Sequence, residues 1–458
     1  MASGTTGKHE NWSSGWTFML AAIGGAVGLG NIWKFPYMVG ENGGAAFVLV
    51  YMAAVVLVAI PILMAELMIG KRGHKSPGQA MRKLAEEAGK SHHWQLVGWA
   101  GIIAAFLVFA FFGAIAAWAI AYIPLAASGA LAGLDGAAAT ALFDRLKADP
   151  LRLSLINAGY LALSVAIVAR GIRAGIEKCV KYLMPALFIL LLALVIYAAI
   201  AGEFIQGVAF MLRPDFGAID GQVTIQALGQ AFLSIGIAAG VMMTFGAYLP
   251  KGVSILRAAV VISLVDALVA ILAGLAIFPI IFAHGLSPSG GPGLAFVAFP
   301  LAIGGMPGGA LLGTLFFILL VVATLTSSIA VLEPAVSWAE EHKGLPRGLS
   351  AVGFGFLAWL LGNGSYLSFA GWGDVYPLGW LPGFGGRNIF ASVDFLLTNL
   401  MLPLGGLAIA LFAGWLVVRE RAAESLAPIG PAFFRAWRFL IRYIAPIGLL
   451  AILAAGLL

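Results

Sequence analysis

Gly24-Gly25-Ala26-Val27-Gly28-Leu29-Gly30-Asn31-Ile32-Trp33-Lys34-Phe35-Pro36 sits inside an apolar run extending from about residue 14 to 39. The run is long enough to cross a bilayer, yet its centre holds four glycines, an asparagine and a lysine. Glycine is a poor helix former and permits unwound backbone. Gly24 and Gly28 also satisfy a small-residue packing face of the Gly-xxx-Gly kind. Packing does not require Asn31, Lys34 or Pro36, however, so the stretch reads as a membrane helix interrupted at mid-depth.

The rest of the chain agrees with a membrane setting. Of its 458 residues, 61% are hydrophobic and 10% charged, whereas soluble domains run near a quarter charged. A mean hydropathy of +1.00 spreads that excess over the whole chain. A single cysteine, Cys179, excludes a disulfide framework and a cysteine-based metal site. Met1 to Trp12 is polar and lacks a small-residue cleavage pattern, so the first apolar run is read as a retained span. The apolar runs are continuous and long rather than short and alternating, which excludes a β-barrel.

The sequence thus predicts an all-α polytopic membrane protein with 11 transmembrane helices, near 14–39, 45–70, 95–127, 153–170, 179–203, 222–249, 254–284, 309–340, 347–364, 391–418 and 437–457. Pro61, Pro185 and Pro279 lie inside these runs and predict bends. Of the 26 lysines and arginines, twenty fall on the N-terminal side of this layout, five on the other, and Lys34 within the first span. The positive-inside rule then sets the N-terminus in the cytoplasm and the C-terminus outside, in the cell inner (plasma) membrane. The net charge of +6 is accounted for as a topology signal and does not call for nucleic acid. Ser287–Pro307 is too broken by Gly and Pro to span, and reads as a re-entrant or lid-like loop. Gly364–Arg387 reads as a second loop carrying interfacial Trp372, Tyr376 and Trp380.

Function is sought where the lipid rule is broken, because an ionisable group at mid-membrane is costly unless paired or ligating. Five such residues stand out: Lys34, Glu66, Asp266, Glu333 and Asp394. Glu66 and Glu333 admit a structural reading, near a helix end or bonded to backbone. The sixth span holds a counterpart to the first in Ser234-Ile235-Gly236-Ile237-Ala238-Ala239-Gly240. Paired breaks in corresponding halves point to the central site of a transporter, where freed carbonyls bind a cation and half-helix N-termini face an anionic group. The eighth span adds Thr324-Leu325-Thr326-Ser327-Ser328. Such hydroxyls commonly bond back to the preceding turn, but facing an unwound glycine segment they also form the oxygen shell that a hard cation such as sodium prefers.

The chain resembles the neurotransmitter:sodium symporter family, in its bacterial eleven-span form. The resemblance rests on Ala26 to Pro36, Glu41-Asn42-Gly43-Gly44, Gly229-Gln230-Ala231-Phe232, Thr326-Ser327-Ser328-Ile329-Ala330 and Asp394-Phe395. It implies one transmembrane domain over 1–458, with inverted five-helix repeats of about 12–203 and 222–418, unwound helices 1 and 6, and an added helix near 437–457. It implies two sodium ions. The second site would use Gly24, Val27, Ala323, Thr326 and Ser327; the first would use Ala26, Asn31, Ser234 and Asp266. Asp266 stands where many relatives have asparagine, and Ala270 where serine or glutamate is common, which implies transport without chloride. Tyr51 and Gln230 match the same neighbourhood.

The resemblance also implies a substrate pocket of Gly25, Ala26, Gly28, Leu29, Gly30, Val108, Phe112, Phe232, Leu233, Ser234, Gly236, Ala239, Ser327 and Val331. Phe112 replaces a tyrosine that bonds a substrate carboxylate, Leu233 an aromatic lid, and Ala239 an aromatic wall. Gly25 lacks the acid that holds an amine in monoamine carriers. Lys34 and Asp394 would form the outer gate. Glu341 would close the inner side with either Lys8 or His9.

These readings predict a sodium-coupled symporter of an amino acid or a related small zwitterion or organic anion, acting by alternating access, with the lipid bilayer and sodium as its other partners. The alternative is a substrate-sensing transceptor or binding protein on the same scaffold, left open by Phe112 and His9. A channel is disfavoured because no pore ring or filter appears. An enzyme is disfavoured because the six histidines form no spaced metal or nucleophile set.

Overall fold

A long apolar chain in lipid must satisfy its own backbone, and the helix does so within each segment. In the computed structural model, which describes residues 11–250, 252–417, 419–426 and 430–457, every regular element among the described residues is helical. We label the principal helices α1 (two halves, Gly15–Ala26 and Gly30–Glu41), α2 (Ala45–Gly73), α3 (His92–Ala127), α4 (Pro150–Val168) and α5 (Ile172–Ala201). Then come α6 (two halves, Gly221–Ile235 and Val241–Ala247), α7 (Ile255–Ala283), α8 (Gly309–Lys343), α9 (Arg347–Leu367), α10 (Ile389–Leu416) and α11 (Pro431–Gly456).

A helix therefore stands at each of the eleven expected positions. Eight are long and apolar enough to cross a membrane, and α1 makes a ninth if its bent halves are taken as one span. Neither α6 nor α9 is among them, so length and composition alone do not establish eleven crossings.

The layers sort by burial. In α8, 78% of the apolar window is buried, against 28% in α5, so α8 is an inner post and α5 an outer one. The small residues of α8 let α3 and the first half of α1 pack along it, while the second half of α6 lies on α2 and α9 on α4. A widened π-helical turn at Val55–Ala59 lies just before Pro61, within the continuous α2. Pro185 and Pro279 lie inside unbroken helices.

Both expected interruptions are present. The first half of α1 starts on a capping box in which Ser14 and Thr17 satisfy each other's backbone. It ends at Val27, which turns to an extended conformation (φ −67°, ψ 111°), and the second half leaves at a bend of 46°. In α6 the break falls at 236–240, where Gly236, Ala238 and Gly240 have φ of 68°, 67° and 70°. Glycine adopts this left-handed region freely, whereas alanine does so at a cost of about 1–2 kcal/mol. Ala238 is held there by its N–H, which donates to Oε1 of fully buried Glu66 at 3.2 Å.

The Ser287–Pro307 segment does not span. It folds as a single turn at Gly291–Leu294 and a short helix at Ala298–Gly304, with Phe296 and Phe299 fully buried. Tyr122 donates its hydroxyl to the Phe296 carbonyl at 2.8 Å, and the Ser289 hydroxyl donates to the Gly40 carbonyl at 2.9 Å, so the loop is seated on α3 and α1.

Candidate functional site

The break in α1 faces α8. The Ser327 hydroxyl lies 3.3 Å from the Val27 carbonyl oxygen and 3.5 Å from that of Gly24, and Thr326 donates to the Ala323 carbonyl at 2.9 Å. Of the five residues expected at a second sodium site, Ser327 thus joins Gly24 and Val27 across the two helices, while Thr326 and Ala323 bond to each other within α8. Thr324 and Thr326 bond back within α8, as helical hydroxyls commonly do. Ser327 instead reaches α1, and Ser328 accepts from Tyr160 of α4 at 2.7 Å. The approach of α1 depends on Gly28. A Cβ there would sit 2.1 Å from Ser327 Oγ.

A second polar group lies on the other side of the break. Asn31 donates from Nδ2 to the Asp266 carboxylate at 2.8 Å, to the Asp266 carbonyl at 2.9 Å and to Ser234 Oγ at 3.3 Å. Ser234 donates to the other Asp266 oxygen, which also takes a bond from Tyr51 at 3.4 Å. Asn31, Ser234 and Asp266 are all buried, so these bonds hold a carboxylate at a depth that would otherwise reject it. Gln230 extends the group by donating to the Gly30 carbonyl at 2.8 Å. Oδ1 of Asn31 accepts the Gly28 N–H at 3.0 Å, so that amide is already engaged.

Between the two groups lies a cavity of about 30 Å³. It is lined by every residue expected in the substrate pocket except Phe232, together with Leu402 of α10. Phe232 lies outside this lining. Its ring packs instead against Gly406, where an added Cβ would meet its Cε1 at 2.6 Å, so it braces α10. One position further on, Leu233 faces the cavity and also floors a larger vestibule of about 770 Å³. Lys34 and Asp394 line that vestibule with Arg387 and face each other at 3.4 Å, their side chains 14% and 39% exposed.

The opposite end is closed by packing around Trp12. Its indole N–H donates to the Phe245 carbonyl at 3.1 Å and its ring meets Phe245 edge-on at 5.1 Å. Glu177, on a π-helical turn at the start of α5, accepts from the Ser13 N–H at 2.6 Å, the Ser13 hydroxyl at 2.7 Å and the Thr17 hydroxyl at 3.2 Å. Lys8 and His9 lie outside the described residues. Glu341 accepts the Ser76 N–H at 2.7 Å.

The comparisons with known proteins bear on this arrangement. The sequence model of the sodium:neurotransmitter symporter family matches residues 9–133 and 147–361. The chain belongs to that family. The family is one of transporters rather than enzymes, and its relatives include sodium-dependent transporters. An uncharacterized sodium-dependent transporter of Bacillus subtilis, YhdH, is 35% identical over 97% of each chain. Another, from Haemophilus influenzae, is 31% identical over 98% of each. The creatine transporter of Torpedo marmorata is 27% identical, over 73% of this chain and 61% of its own. Among solved structures, MhsT in complex with L-phenylalanine is 39% identical and superposes with a TM-score of 0.89, over 98% of this transporter and 100% of MhsT.

Several contacts of the transporter carried no sequence signal. Glu177 lies between basic residues of what reads as an ordinary loop, and nothing local ties it to Ser13. Leu402 is one apolar residue among many. Depth marks Glu66 and Glu333 as out of place, but nothing local names their partners. Arg347 reaches both oxygens of Glu333, one at 3.1 Å, and Glu340 at 3.0 Å, and its Nε donates to the Val168 carbonyl at 2.8 Å.

Proposed function

We propose that this transporter is a sodium-coupled symporter of an amino acid or a related small zwitterion or organic anion, working by alternating access. The observation that carries the reading is the junction of α1 and α8, where Ser327, Thr326 and the carbonyls of Gly24, Val27 and Ala323 form an all-oxygen set beside the cavity. Such a set suits a hard monovalent cation. The Asp266 cluster, with the Ala26 carbonyl, serves as the first sodium site. Its carboxylate supplies the negative charge that chloride supplies elsewhere, with Ala270 leaving no side-chain ligand for the anion. The helices form inverted repeats of about 12–203 and 222–418 with α11 added, eleven crossings in all. The N-terminus is cytoplasmic, the C-terminus is outside, and the setting is the plasma membrane.

An amino acid is favoured by the cavity's make-up and by the phenylalanine bound to MhsT. Its walls are apolar or small: Val108, Phe112, Leu233, Val331, Gly25, Gly236 and Ala239. About 30 Å³ accommodates about two waters. Substrate therefore enters with an outward movement of Leu233, and Lys34 and Asp394 close above it. Two sodium ions crossing 100 mV with a neutral zwitterion would supply about 4.6 kcal/mol, roughly a thousandfold accumulation.

The test is uptake into proteoliposomes across an amino-acid panel, with sodium and chloride varied separately. Uptake should require sodium, ignore chloride, and gain chloride stimulation in Asp266→Asn. Substrate binding without uptake or counterflow would replace this reading with a sensor on the same scaffold. Unchanged sodium dependence in both Thr326→Val and Ser327→Ala would remove the second site.

A further inference from the structure

Outside the central site, unpaired charge gathers at a groove of about 330 Å³ between the first turns of α11 and Arg419, just beyond the end of α10. Arg419, Arg435, Arg438 and Arg442 line it. Arg435, Arg438 and Arg442 are spaced i, i+3 and i+7, so they share one side of α11 over about 10 Å. None of the four forms an ion pair with a described carboxylate, although Glu420 stands near enough to offset part of the charge. Arg442 is fixed by a bond from Nε to the Gly414 carbonyl at 2.5 Å and by the Trp415 ring at 4.9 Å. Arg438 differs. Its Nη1 is buried and has no hydrogen-bond partner among the described residues.

A buried guanidinium nitrogen without an acceptor is costly, and a fork of donors is matched by phosphate oxygens. The rim of the groove is aromatic: Phe439 and Tyr443 are 56% and 44% exposed, on a helix apolar enough to span a bilayer. An apolar rim beside a phosphate-shaped donor set is the chemistry of a lipid rather than of a free solute. We propose that this groove binds the headgroup of an anionic phospholipid, with phosphate oxygens on Arg435 and Arg438 and acyl chains along Phe439 and Tyr443.

The experiment uses the full chain in neutral detergent, with lipid retention read by native mass spectrometry and stability by thermal unfolding. The probes are phosphatidylglycerol, cardiolipin and phosphatidylcholine at equal mole fraction, and inorganic phosphate. The two anionic lipids should be retained and should raise the unfolding temperature, while phosphatidylcholine and phosphate should do neither. The double variant Arg435→Gln/Arg438→Gln should bind anionic lipid about thirtyfold more weakly, and Arg435→Gln alone about fivefold. If the double variant does not fold, the single one decides. Equal retention of phosphatidylcholine, an equal response to inorganic phosphate, or wild-type lipid retention in the folded variants would overturn the proposal.

Discussion

Gly28→Ala puts the proposed ion site under the most direct strain. The added Cβ would stand 2.1 Å from Ser327 Oγ, 3.1 Å from Ser327 Cβ and 3.5 Å from the Ala323 carbonyl. The first distance is about an ångström inside ordinary contact, so the hydroxyl must rotate away or the helices must part; overpacking of this kind costs about 1–3 kcal/mol. Rotation takes the hydroxyl off the Val27 and Gly24 carbonyls. Losing one oxygen from a charged partner is worth about 1.5–3 kcal/mol, a weakening of sodium binding of roughly ten- to a hundredfold. Removing the hydroxyl as well leaves only the 3.1 and 3.5 Å neighbours, which a small shift accommodates. The pair Gly28→Ala and Ser327→Ala is therefore expected to be non-additive by about 1–3 kcal/mol. The assay is the sodium concentration that half-maximally stabilises the purified protein against thermal unfolding, with potassium or choline as the balancing ion. Wild-type sodium dependence in Gly28→Ala, or a double variant as impaired as the sum of the singles, would refute the argument.

Three further outcomes follow from other contacts. Phe112→Tyr restores a hydroxyl to the cavity wall and should tighten binding of a carboxylate-bearing substrate about tenfold or more in competition assays, with no gain for a carboxamide analogue. Ala238→Gly removes the left-handed strain of an alanine and should leave stability unchanged or raise it by about 1 kcal/mol, and a clear fall in unfolding temperature would contradict that. Arg347→Ala removes the guanidinium that faces the fully buried Glu333 carboxylate and should destabilise by about 3–5 kcal/mol; most of that loss should return in Arg347→Ala/Glu333→Gln, measured by thermal or denaturant unfolding.

How much of this was legible in sequence depended on whether the signal was local. The eleven principal helices could be placed from apolar runs, because a crossing asks for about 20 mostly apolar residues in a row. The breaks were legible for the same reason, as glycine and asparagine at mid-depth are exceptional. Long-range pairs were not. Glu66 could be marked as out of place, but its partner is the backbone of Ala238, 172 residues away, and an alanine gives no hint of positive φ. Phe232 and Leu233 differ by one position, about 100° around a helix, and only the geometry of α6 assigns one to α10 and the other to the cavity. Glu177 was missed outright, because its link to Ser13 joins two segments that each read as solvated.

The Ser327 hydroxyl has a second consequence. Its donation to the Val27 and Gly24 carbonyls uses the very lone pairs that an ion would occupy, so the side chain can act as a placeholder once the ion has gone. A carrier must reset without cargo as well as advance with it, and under the proposed symport a weak internal substitute would keep α1 against α8 during that empty return. Ser327→Ala should then slow net uptake more than exchange of internal for external substrate, since exchange never passes through the empty carrier. Equal slowing of both would mean that the hydroxyl serves the loaded step alone. On this view the strength of one hydrogen bond sets how fast the cycle turns over, separately from how tightly it is coupled.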